Sequence, residues 1–145
     1  MLRQAKQADT ARIVELACAS VANDPLPLKT DTTAMKQMAS QVIGNPAHFC
    51  WVHCDGERVT ACVAAIVQPG FWFRGLQMSV ILYYAETPAA GGFLLRRLSR
   101  WMKSRSGIKL GVFELEPGHD PRLESLLSKL GFSRRSTNLT YVRKP

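Results

Sequence analysis

The chain contains no apolar run approaching the roughly 18 to 20 residues needed to cross a bilayer. Its opening stretch, MLRQAKQADTARIVELA, holds no apolar block of the kind that drives secretion. Neither a membrane span nor an export signal is expected, and the cytoplasm is the expected compartment. Cysteine is scarce: Cys18, Cys50, Cys54 and Cys62 all sit in apolar or strand-like segments, so reduced, buried thiols are expected. No Cys-x-x-Cys pair is present, and on a strand His48, Cys50 and Cys54 point one way while His53 points the other. No metal site is expected. Cys50 or Cys54 beside His53 lacks a legible oxyanion partner, and Ser125 and Ser128 fall in a helical pattern, which argues against nucleophilic catalysis.

Acidic residues are also few. Eleven Asp and Glu face 19 Lys and Arg, for a net charge of +8. Such a surface attracts acidic partners, among them a polyphosphate cofactor. The cations are spread along the chain (Arg96, Arg97, Arg100, Lys103 and Arg105 in one segment, Arg134, Arg135, Arg143 and Lys144 in another) and no basic run is interleaved with aromatics. A dedicated nucleic-acid module is therefore not the expected reading. Internal repeats and low-complexity segments are absent.

What the chain has is enough apolar material for one core: 145 residues, 46% hydrophobic and 21% charged, suit a single domain over residues 1–145. Leu2-Arg3-Gln4-Ala5 reads as a first strand. Asp9 or Thr10 can cap a helix through about Ser20, with Ile13, Leu16 and Ala17 as its stripe. Asn23-Asp24-Pro25-Leu26-Pro27 is a loop, and Asp31 caps a second helix through Ile43, with Met35, Met38 and Val42 inward. Phe49–Cys54 and Arg58–Val67 are strand-like around the hairpin signal Asp55-Gly56. Gln68–Phe73 is an aromatic loop, Gln77–Tyr84 the next strand, Gly91–Ser104 a helix and Ile108–Leu115 another strand. Asp120-Pro121 opens a short helix ending at Gly131, and Phe132–Arg143 can hold one or two closing strands.

The most informative stretch runs from Met78 to Gly107. An apolar strand breaks at Glu86-Thr87-Pro88-Ala89-Ala90-Gly91-Gly92 and gives way to FLLRRLSRWMKSRSG. A strand, a turn of small residues and a helix start bring main-chain N–H groups and a positive helix end to a phosphate.

In this order the pieces resemble the Gcn5-related N-acetyltransferase superfamily over nearly the whole chain. They are most similar to small acetyltransferase-like proteins of tailed bacteriophages. The resemblance rests on Trp72-Phe73, Leu94-Leu95, Trp101-Met102-Lys103-Ser104, Asp120-Pro121-Arg122 and Lys129-Leu130-Gly131-Phe132. It implies an α/β (α+β) fold with a mixed, mostly antiparallel sheet of about six or seven strands flanked by about four helices. It also implies an acyl-CoA-dependent N-acyltransferase that uses acetyl-CoA and an amine acceptor, either a protein or a small molecule, with a homodimer as the assembly to test. Pantetheine would be held by the main chain of Leu82, Tyr83 and Tyr84, and pyrophosphate by Thr87, Pro88, Ala89, Ala90, Gly91 and Gly92.

Two departures from the family pattern stand out. Glu86 occupies a place where Arg or Gln is usual, with Ala89 at the first glycine, and Leu127 occupies the place of a Tyr that protonates the departing thiolate. Tyr83, Tyr84 or Tyr141 is then the stand-in acid. For the base, Glu114 comes first, two residues from Glu116 and on the same strand face; Glu86 is second and His119 third. Because of the departures, a different class of function stays open: a protein of this fold that docks a host or other partner protein through Phe71-Trp72-Phe73 and a basic helix face.

Overall fold

The computed structural model describes residues 1–23 and 26–144; Asp24 and Pro25 of the expected loop lie outside them. Five strands, β1 (Leu2–Gln4), β2 (Phe49–Asp55), β3 (Arg58–Pro69), β4 (Leu76–Ala85) and β5 (Ile108–Val112), form one sheet in the order 1-2-3-4-5. The first three pairings are antiparallel, and β4 with β5 is parallel. The hairpin expected at Asp55-Gly56 joins β2 to β3, with Gly56 at φ +62°, a conformation that glycine adopts without a Cβ clash.

Four α-helices, α1 (Thr10–Asn23), α2 (Thr32–Val42), α3 (Pro88–Ser104) and α4 (Pro121–Lys129), cover the sheet. Residues 61–65 of β3 are buried without alternation because this central strand is covered on both faces. Ile13 and Leu16 of α1 and Val42 of α2 pack on Val52 and Cys62; on the other face, Leu94, Leu95 and Leu98 of α3 pack with Phe49, Val63 and Met78. Asp31 caps α2 by accepting from Ala34 N at 3.0 Å, and Asp120 caps α4 by accepting from Arg122 N at 2.9 Å, both as expected.

The structure corrects four expectations. Among the described residues the sheet has five strands rather than about six or seven, because residues 133–144 form no strand and leave Leu139 and Tyr141 exposed. β5 stops at Val112, three residues short of Leu115. α3 starts at Pro88, not Gly91, because Thr87 and Pro88 are already a cap and a first helical residue. Met38, expected inward, is exposed.

Candidate active site

The site is created where β4 outruns its neighbour. β4 and β5 pair only from Leu76↔Ile108 to Ser79↔Val112. Beyond Ser79, β4 continues to Ala85 against β3 alone. At the point of divergence the β3–β4 register slips, with Ala64 opposite Leu82 but Ala65 opposite Val80, so Ile81 is an extra, unpaired residue. A bulge of this kind turns the strand and frees a main-chain group from the ladder. It also resets the alternation: Val80 and Tyr83 face α3, while Leu82 and Tyr84 face α1 and α2.

The resulting wedge is a cleft of about 660 Å³, walled by residues 80–85 on one side and 113–118 on the other, with Thr87, Pro88 and Gly92 at its mouth. A second cavity of about 450 Å³ lies between α1, α2 and β4. The two cavities share Ser20, Ile81, Leu82 and Glu116. The bulge and one carboxylate therefore stand where the spaces meet.

Tyr83 packs edge-on against Phe113, with ring centroids 5.6 Å apart, and burial pushes its phenol pKa up. Its hydroxyl lies over Gly91: a Cβ at that position would come within 2.0 Å of Tyr83 Oη. Gly91 is thus a packing residue. Gly91 and Gly92, expected to hold pyrophosphate through their main chain, both lie inside α3, and Gly91 N donates to Thr87 O at 3.3 Å. Thr87 Oγ1 accepts from Ala90 N at 3.3 Å, and Pro88 has no N–H to offer. Cationic side chains supplement this mouth. A Cβ on Gly92 would sit 3.1 Å from Arg96 Nη1; Arg122 also lines the cleft, ion-paired with Asp120 at 2.8 Å. The spacing of Gly92 and Arg96, one helical turn, is a signal the sequence reading passed over.

Glu86 does not enter the cleft. Arg58 grips it with two hydrogen bonds of 2.7 and 2.8 Å, and Arg12 makes a third contact. The Arg58 guanidinium, then Arg12, hold its carboxyl below the usual carboxylate range. A carboxylate paired with two guanidiniums is neither a ready base nor a source of repulsion for a phosphate. Glu114 and Glu116 are both exposed and line the cleft, but only Glu116 also borders the second cavity.

His119 sits in the turn before α4, with Nδ1 3.0 Å from Glu116 O and Nε2 3.0 Å from Glu124 Oε2. Both partners are acceptors, so the imidazolium satisfies both, and its pKa is raised chiefly by Glu124. It fixes the backbone of Glu116. Tyr84 is half-buried and lines the cleft, whereas Tyr141 is exposed in the C-terminal segment. Cys50, Cys54 and Cys62 are buried free thiols.

No protein-family profile and no curated protein sequence matches the chain. Solved structures do. A possible acetyltransferase from Clostridium difficile 630 superposes with a TM-score of 0.74 at 11% identity, covering 99% of this chain and 96% of the other. An aminoglycoside acetyltransferase from an uncultured soil metagenomic sample, solved with sisomicin, gives 0.69 at 8% identity over 100% and 96%. A transcriptional regulator from Bacillus halodurans C-125 gives 0.70 at 15% identity over 97% and 99%. The chain has the fold of the Gcn5-related N-acetyltransferases, as the resemblance implied. A shared fold does not by itself assign an activity.

Proposed function

We propose that the chain is an acyl-CoA-dependent N-acyltransferase of one domain, with the wedge holding the cofactor and the second cavity holding the amine. One observation carries this reading: the two spaces meet at the Ile81 bulge beside Glu116. The wedge suits the cofactor because the free edge of β4 offers main-chain groups to the amides of a pantetheine arm. Arg96 and the positive end of the α3 dipole favour phosphate at the mouth. When bound, acyl-CoA supplies an acyl carbonyl joined to a thiolate leaving group.

The protein's own part is to position and to move protons. The main chain of Ile81 and Leu82 offers an N–H to the carbonyl oxygen as charge develops. Glu116, held from behind by the Glu116 O–His119 bond, takes the proton that the attacking amine loses. Tyr84 stands in as the donor to the departing sulfur, the position where Leu127 cannot serve. Glu116 replaces Glu114 as first choice for the base because it alone reaches both spaces.

Calorimetry with acetyl-CoA tests the cofactor half; no heat of binding up to millimolar concentration removes the proposal. For the base, Glu116→Gln is expected to lower kcat/KM by roughly 10²- to 10⁴-fold with acetyl-CoA affinity kept. Should Glu114→Gln cause that loss instead, the base assignment returns to Glu114.

A second reading has its own observation. Phe71 and Trp72 are 84% and 82% exposed on the β3–β4 loop, at the opposite end of β4 from the cleft. Exposed aromatics of this kind favour docking to a partner protein. Loss of partner capture in Trp72→Ala with acetyl transfer unchanged would make docking a separate function of that loop.

A further inference from the structure

The second cavity is unusually poor in charge for a protein of this composition. Among the described residues its walls are Ile13, Ala17, Met35, Met38, Val42 and Leu82 with other small or apolar groups, and its one carboxylate is Glu116. Two of the walling side chains, Met38 and Val21, are 45% and 41% exposed although they are apolar. Apolar atoms left in water around a concavity are the mark of a surface that a ligand covers. Methionine walls adapt to the shape of what enters.

Resting on the acyltransferase reading, we infer that the acceptor is a primary monoamine on an apolar body, an aryl- or alkylamine, and not a polycation. The cavity opens onto the cofactor cleft at Glu116, so one ammonium finds one carboxylate and the remainder of the molecule lies among Ile13, Ala17, Met35 and Met38. An aminoglycoside would carry several ammonium groups into the same space. Each beyond the first would give up hydration against apolar walls, with no second carboxylate among the described residues of that cavity. The protein's net charge of +8 opposes such a ligand at long range as well. The sisomicin-bound structural neighbour therefore shares the fold without defining this chain's acceptor. The transfer balances: Glu116 takes one proton from the ammonium so that the free amine attacks, the C–N bond forms as the C–S bond breaks, and the second N–H proton replaces the one that Tyr84 gives the departing sulfur, which leaves as free thiol.

The test compares 2-phenylethylamine and hexylamine with sisomicin and spermidine, with acetyl-CoA as donor and free thiol as the readout. The apolar monoamines are expected to exceed the polycations at least tenfold in kcat/KM, the scale of discrimination an apolar pocket provides. Independently of turnover, 2-phenylethylamine should shift the NMR methyl signals of Met35 and Met38. Ala17→Leu, which fills the cavity, should lower kcat/KM for 2-phenylethylamine at least tenfold while acetyl-CoA binding by calorimetry is kept. Preference for sisomicin or spermidine with acetyl-CoA bound normally overturns this inference alone. So does Ala17→Leu changing the preferred acyl-chain length instead of the preferred amine, because the cavity would then be an acyl pocket. Absence of acetyl-CoA binding overturns the underlying acyltransferase reading.

Discussion

Single residues here are held by contacts that the neighbouring sequence does not announce. Gly91 lies in a helix, where alanine would normally be the better residue. The Tyr83 hydroxyl occupies the place its Cβ would need, 2.0 Å away, and the phenol ring cannot bend aside. Gly91→Ala is therefore expected to destabilise the protein by about 1–3 kcal/mol in urea unfolding. Tyr83→Phe, which removes only the hydroxyl, should recover most of that loss in the double variant. His119 gives a pH-dependent counterpart. Its pKa is raised in the folded protein, first by Glu124, so the stability it contributes is fully present below the unfolded value near 6.5 and is lost as pH rises through the folded value. A histidine NMR titration should find His119 titrating above His53, whose pKa burial lowers. Glu124→Gln should bring the His119 midpoint down, and an unmoved midpoint would remove the ion pair from the account.

At the scale of elements, legibility depended on whether the signal was local. The Asp55-Gly56 hairpin, the Asp31 and Asp120 caps and the Leu94-Leu95 face of α3 were all readable, because each is set by residues within a turn of one another. The expected start of α3 lay at Gly91 because two glycines look like loop, although Thr87-Pro88 carries the boundary; packing of Tyr83 over Gly91 overrides its low helix propensity. The bulge at Ile81 had no signal at all, since isoleucine in an apolar strand gives no hint of a slipped register. Nor could the Arg12–Glu86–Arg58 cluster be seen, with Arg12 and Glu86 74 positions apart. The proposed cofactor side was thus legible only as a strand, turn and helix. The junction at Glu116 appeared only once β4 and the segment after β5 were placed in space. The cap itself can be measured: Thr87→Ala is expected to cost about 1 kcal/mol in thermal or urea unfolding, from the lost bond to Ala90 N. An unchanged midpoint would mean that Pro88 and the Tyr83 contact fix the helix start without it.

Across the whole molecule, the proposed reaction divides between the charge and the two cavities. A surface of net charge +8 draws in phosphates over distances that salt can screen, whereas the cavity beneath α1 and α2 works by apolar contact, which salt does not screen. The two halves of the proposed site should separate in an ionic-strength series. Acetyl-CoA at about 100 times its Kd should add about 2.7 kcal/mol to the unfolding free energy, raising Tm by roughly 5–11 °C. That gain should shrink when sodium chloride is raised from about 50 mM to about 500 mM, as the Debye length falls below the reach of Arg96. The shift of the Met35 and Met38 methyl signals caused by 2-phenylethylamine should persist over the same range, because most of that ligand's contact is uncharged. If salt abolished both effects equally, the amine would be held by charge alone, and the division of labour between a basic mouth and an apolar chamber would have to be abandoned.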